Sequence, residues 1–281
     1  MCSVSASVCP RRWQCVFPRW AAVLRLPSDI DCSGDVPLRA TEFEFRHRLF
    51  IIMALFVGGF WCYSLDSVNV ATMFAERLLG HHVEPGVLSD RHVLQAILAC
   101  GTALAVLAAL VRTWAAAYLR SEVVHASTIH SEDLVADGPY RYVRNPLYLG
   151  GVLFAVAFAM TASRLGFVVI VGGLTLFYYR LIAREESLLR ERQGEAYRQF
   201  LALVPRLMPS LNPRVAAGGL APRWGQAVIG EAFMWLFAAG VAFLAITLNQ
   251  RVFLIITLSA VVASLFAKVV MRRKGRCLTT R

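Results

Sequence analysis

Long apolar stretches alternate with short polar ones along this chain. Residues 49–65 (LFIIMALFVGGFWCYSL) and 93–111 (VLQAILACGTALAVLAALV) are almost free of charge. A third apolar region, 147–182, is too long for one simple span. It breaks at 161–166 (TASRLG), which predicts a tight helical hairpin of two short spans. Two further stretches, 227–248 and 252–271, are separated only by Asn249, Gln250 and Arg251. Crossing a bilayer takes about 20 mostly apolar residues, with a range of about 17–25. In lipid the backbone polar groups must be satisfied within the segment, which selects helices. The pattern predicts an all-α, polytopic membrane protein with about six transmembrane helices.

Composition agrees. Of 281 residues 57% are apolar and 17% charged, against about 45–50% and about 25% in a typical soluble domain. The net charge is +11, which on a soluble protein would point to nucleic acid. Its distribution points elsewhere. Lys and Arg number 7 up to Arg48, 4 in 112–146, 8 in 180–226 and 6 from Lys268 onward. The segments between them hold 2, 1 and 1. Every second segment is basic, as the positive-inside rule requires. Both termini and the segments 112–146 and 180–226 are thus expected in the cytoplasm, and nucleic acid is not needed to explain the charge.

The sequence divides into a basic N-terminal tail expected to be poorly ordered (1–46), a first pair of spans (47–125), a central unit around the hairpin (126–213), and a C-terminal hairpin with a basic tail (214–281). The tail contains Arg11, Arg12, Arg19 and Arg25 among Pro10, Pro18 and Pro27. It has no apolar run of signal-peptide length, so the first span is expected to act as an uncleaved anchor. The seven cysteines are odd in number and show no CxxC spacing. They read as reduced thiols, and no metal site is expected.

The two cytoplasmic segments flanking the hairpin emerge side by side. The first carries GPYRYVRNPLYLG from Gly138 to Gly150. Gly138-Pro139 is turn chemistry, and Pro146 can open a helix because its missing N–H is not needed in the first turn. The arginines and tyrosines here are either interfacial anchors or site residues. The second begins Arg180-Leu181-Ile182-Ala183-Arg184-Glu185-Glu186, is interrupted by Gly194 and ends at Pro205. It reads either as an interfacial amphipathic helix or as a source of carboxylates for a ligand ammonium. Glu231 and Lys268, near the ends of the last spans, are expected to snorkel. His81-His82 reads as a polar loop pair on the opposite membrane face.

GPYRYVRNPLYLG resembles the first signature of the isoprenylcysteine carboxyl methyltransferase and phospholipid methyltransferase superfamily. Glu185-Glu186-Ser187-Leu188-Leu189, with Gly194, Tyr197, Val204-Pro205-Arg206 and Pro209, resembles the second. The resemblance covers roughly 94–213. It implies an integral-membrane enzyme that uses S-adenosylmethionine in a cytoplasmic pocket and takes a lipid-like or prenylcysteine-type substrate from the bilayer. By motif, Leu134, Val135, Tyr140, Asn145 and Tyr148 would line the cofactor pocket. Glu185 would meet the methionyl ammonium, with Glu186 beside it. Arg180, Arg184 and Arg206 would hold an anionic substrate group, since Arg suits carboxylate and phosphate geometry.

Asn145 stands where the family commonly has His. Asn can hydrogen-bond but cannot ionise, which excludes a general-base role there. A carboxylate acceptor needs no base. An amine acceptor attacks as the neutral form and needs a proton acceptor, for which Glu185 or His130 would serve. The competing expectations are a phospholipid N-methyltransferase, an NADPH-dependent sterol-type reductase with a similar helical core, and a scaffold without activity. The apolar faces of the last hairpin also suit a homodimer, for which the sequence shows no motif.

Overall fold

The computed structural model describes residues 39–84, 86–119 and 136–263. Among these the regular structure is helical, with one isolated antiparallel bridge between Asn69 and Ser163. The helices are α1 (Glu42–Arg46), α2 (Arg48–Trp61), α3 (Val70–Leu79) and α4 (Leu88–Tyr118). They continue as α5 (Pro146–Ala159), α6 (Arg164–Leu203), α7 (Trp224–Gly230), α8 (Ala232–Thr247) and α9 (Gln250–Ala263).

Over its described residues each apolar stretch falls on a helix, and the 147–182 region divides at the expected turn into a short α5 and, instead of a second short span, the 40-residue α6. By length and apolarity α4 and α6 are able to cross a bilayer on their own, and α7 with α8 makes a third span if the bent pair is counted as one. The other apolar helices are shorter. At 1.5 Å per residue, the 14 residues of α5 reach about 21 Å, less than the roughly 30 Å hydrocarbon core. The protein is an integral membrane protein built from helices of unequal length.

Small residues set how the helices meet. Ala105 and Ala108 of α4, Ala157 of α5 and Ala238 of α8 are buried with Phe154, Phe237 and Val241. A second core joins Ala155 and Ala159 of α5 to Ile170, Leu174, Phe177 and Leu181 of α6, with Leu55 and Phe56 of α2 against it. In lipid, helix association rests on such close backbone approach and side-chain packing. Phe158 bridges the two cores, 4.8 Å from Phe56 and 5.0 Å from Phe237 between ring centroids.

The turn between α5 and α6 is clasped by the chain after α2. The Tyr63 hydroxyl donates to the Thr161 carbonyl at 2.8 Å, and the Asn69 amide donates to the same carbonyl at 3.0 Å. Asp66 accepts from Arg164 and from the Leu165 N–H. This clasp fixes the hairpin at the end remote from the motifs. Cys62 and Cys100 are free thiols.

The end of the N-terminal tail differs from the expectation. Residues 42–46 form a helix with a capping box: the Thr41 hydroxyl accepts from the Glu44 N–H, and Glu44 accepts from the Thr41 N–H. Carboxylates supplied by this helix anchor it on α6. Arg180 donates to both Glu44 oxygens at 2.9 and 2.7 Å, and Arg184 pairs with Glu42 and donates to the Ala40 carbonyl. The Thr41 N–H and Arg180 hold the Glu44 carboxyl below the usual range. Its folded pKa is then lower than its unfolded one, so the latch contributes stability at neutral pH and loses it as pH falls through the folded value. Hydrogen exchange of residues 42–46 is expected to quicken on acidification. Glu44→Gln is expected to show the fast exchange already at pH 7.

Candidate functional site

Both motifs lie at one end of the bundle. Gly138–Arg141 forms a single 3₁₀ turn. Gly138 has φ +56, and a Cβ there would lie 2.4 Å from the Tyr118 ring, so only glycine turns the chain beneath α4. Pro146 then starts α5, and Val204 caps α6 just before Pro205. Inside α6 the helical dihedrals break at Gly194 (φ 57, ψ −129), where the sequence pattern is interrupted.

The segment after α6 runs back along the first motif. The Arg144 N–H donates to the Pro205 carbonyl at 2.9 Å, and the Asn145 side-chain amide donates to the Arg206 carbonyl at 3.2 Å. Further along, Ser210 N–H donates to Tyr142 and Arg214 N–H to Arg141. Asp137, buried, accepts from the Gly218, Gly219 and Leu220 N–H groups at 2.7, 3.3 and 3.0 Å. One carboxylate thus ends the zipper by filling a nest of backbone donors.

Between the motifs, the Tyr148 hydroxyl donates to Glu185 Oε1 at 2.7 Å. The rings of Tyr148 and Tyr178 lie 5.3 Å apart beside it. Glu185 is half-buried. The Tyr140 hydroxyl is buried and makes no hydrogen bond among the described residues. Burial raises this phenol, with the Glu185 charge adding to the effect. A buried donor without a partner is costly, so this hydroxyl is chemically ready for a ligand acceptor.

Glu186 faces differently from its neighbour. It is 3% exposed, accepts from Arg144 at 2.9 Å and takes both ends of the Arg206 fork, at 2.7 and 3.4 Å. Its two oxygens are therefore engaged by one arginine from each motif. Of the three arginines expected to hold an anionic group, Arg206 meets Glu186, while Arg180 and Arg184 meet Glu44 and Glu42. Leu134, Val135 and His130 lie outside the described residues.

Two site residues escape the sequence reading, Asp137 and Arg112; for Arg144 it leaves both an interfacial anchor and a site residue open. Glu231 requires a correction. It does not snorkel but is buried, and Arg112 grips it at 2.7 and 2.9 Å. An ionised carboxylate can stay buried because a two-point partner inside the protein replaces water. A lone Arg at the end of one apolar stretch and a lone Glu inside another were the signal available.

Residues 96–196 match the phospholipid methyltransferase family. The match covers α4 from residue 96, the first motif, the hairpin and the second motif as far as residue 196, and it agrees with the superfamily resemblance of the two motifs. No curated protein and no solved structure gives a significant match to the chain. The domain supports a membrane methyltransferase that acts on lipid-like substrates.

Proposed function

We propose that this chain transfers a methyl group from S-adenosylmethionine to a lipid-like acceptor at the motif-bearing end of the bundle. The observation that carries the reading is the Tyr148–Glu185 pair beside the Tyr140 hydroxyl, which has no hydrogen-bond partner among the described residues. These groups suit the cofactor: Glu185 has a second oxygen for an ammonium, and Tyr140 has a hydroxyl to donate. The aromatic rings of Tyr148 and Tyr178 offer faces to a sulfonium. When bound, the cofactor supplies a methyl on a positively charged sulfur, open to direct displacement. The residues then need only hold two reactants in line and exclude water.

Asn145 would contribute its carbonyl oxygen, its amide being given to Arg206. Glu186 would act behind the pocket by fixing Arg144 and Arg206. For Arg180 and Arg184 to hold an anionic substrate group, that group takes the place of Glu44 and Glu42. The charge pattern supports a cytoplasmic placement of both termini and of the site, in a multi-pass topology.

An amine acceptor of the phospholipid kind is favoured by one observation, the match of residues 96–196 to the phospholipid methyltransferase family. Glu185 would take the proton from the attacking amine. A prenylcysteine-type carboxylate would not need that. The test is methyl transfer from labelled S-adenosylmethionine by protein in detergent, offered a crude lipid extract. Label is expected in an extractable lipid. No transfer by folded protein across lipid classes overturns the reading, and a base-labile ester product would favour the carboxylate over the amine.

A further inference from the structure

The C-terminal helices α7 and α8 lie outside the family match, yet they reach the site through one side chain. Glu231 stands at the 59° bend between them. Its two oxygens take Nε and one terminal nitrogen of Arg112, and the other terminal nitrogen donates to the Leu147 carbonyl at 3.1 Å. Leu147 is the residue before Tyr148, in the first turn of α5. A Cβ at Gly150 would lie 2.4 Å from Arg112 Cγ, so the last glycine of the motif is the space through which this arginine passes.

A guanidinium held by one carbonyl could swing about that single bond. The fork to a carboxylate fixes its plane as well as its position. We infer that Glu231 is a positioning residue: through Arg112 it fixes the first turn of α5, and with it the Tyr148–Glu185 pair. The C-terminal helix pair is then a working part of the cofactor site. The inference rests on the methyltransferase reading above. A second link between the same helices provides the contrast. Trp235 Nε1 donates to the Thr113 hydroxyl at 3.0 Å, one position beyond Arg112 and outside the Glu231–Arg112–Leu147 chain of bonds.

Full-length Glu231→Ala, Glu231→Gln and Trp235→Phe are compared with the unmodified protein in detergent, well below the unfolding temperature of each. Two quantities are read: amide exchange of residues 147–151 without ligand, and S-adenosylmethionine affinity by calorimetry. Glu231→Ala is expected to quicken the exchange and weaken binding roughly ten- to hundredfold. Glu231→Gln, which keeps one acceptor, is expected to fall between, and Trp235→Phe to leave both within about twofold, well under that loss. Unchanged values in both Glu231 variants, or equal changes in Trp235→Phe, overturn the inference. If Glu231→Ala does not fold, Glu231→Gln carries the comparison. If the unmodified protein does not bind the cofactor, the methyltransferase reading fails separately, and exchange alone decides the role of Glu231.

Discussion

Glu185→Ala is expected to weaken S-adenosylmethionine binding about ten- to hundredfold while leaving the fold intact. A hydrogen bond to a charged group contributes about 1.5–3 kcal/mol, which sets that range. The fold should survive because Glu185 is a carboxylate in a desolvating place. Folding takes the ionised form partly out of water, at a cost. Removing it at neutral pH relieves that penalty and leaves the Tyr148 hydroxyl without its acceptor. These effects oppose one another, and the apparent Tm is expected to move little. Tyr148→Phe keeps the carboxylate and should cost less, about 0.5–1.5 kcal/mol of binding. Affinity unchanged in Glu185→Ala would remove this residue from the cofactor site.

The adjacent carboxylate should behave in the opposite way. Glu186→Ala leaves Arg144 and Arg206 facing each other with the shared carboxylate gone. Removing one partner of a buried ion pair costs about 3–5 kcal/mol. For a chain of this size that is a fall in apparent Tm of roughly 5–8 °C. Measured by thermal unfolding in detergent, Glu186→Ala is expected to be the least stable of the site variants, and Glu185→Ala close to the unmodified protein. A Glu186→Ala protein with the original Tm would show that the arginine clamp contributes nothing to the fold. Two adjacent carboxylates, alike in sequence, are thus separated by which way the helix turns them.

Much of the fold was legible because it is local. Runs of apolar residues mark α2, α4, α5, α8, α9 and the first part of α6, TASRLG marks the hairpin, and Gly194 and Pro205 mark the break and the end of α6. The motif positions of Tyr148 and Glu185 were also readable, though only the structure brings them to 2.7 Å. What could not be read joins distant parts of the chain. Arg112 and Glu231 are 119 residues apart, and Arg180 and Glu44 are 136 apart. In sequence each is a charge near a membrane boundary, for which snorkelling is the ordinary fate. Only three-dimensional packing decides that they turn inward to each other. The capped helix at 42–46 was hidden for a related reason. Five residues cannot hold a helix alone, and this one is stabilised by ion pairs to α6.

On the reading proposed above, Tyr148, Glu185 and Tyr140 form a site for S-adenosylmethionine. The test is calorimetric titration of the purified, folded protein with S-adenosylmethionine and, in parallel, with NADPH. Saturable heat with S-adenosylmethionine, lost in Glu185→Ala, and none with NADPH is the expected result. Binding of NADPH instead, or no heat with S-adenosylmethionine, would contradict it.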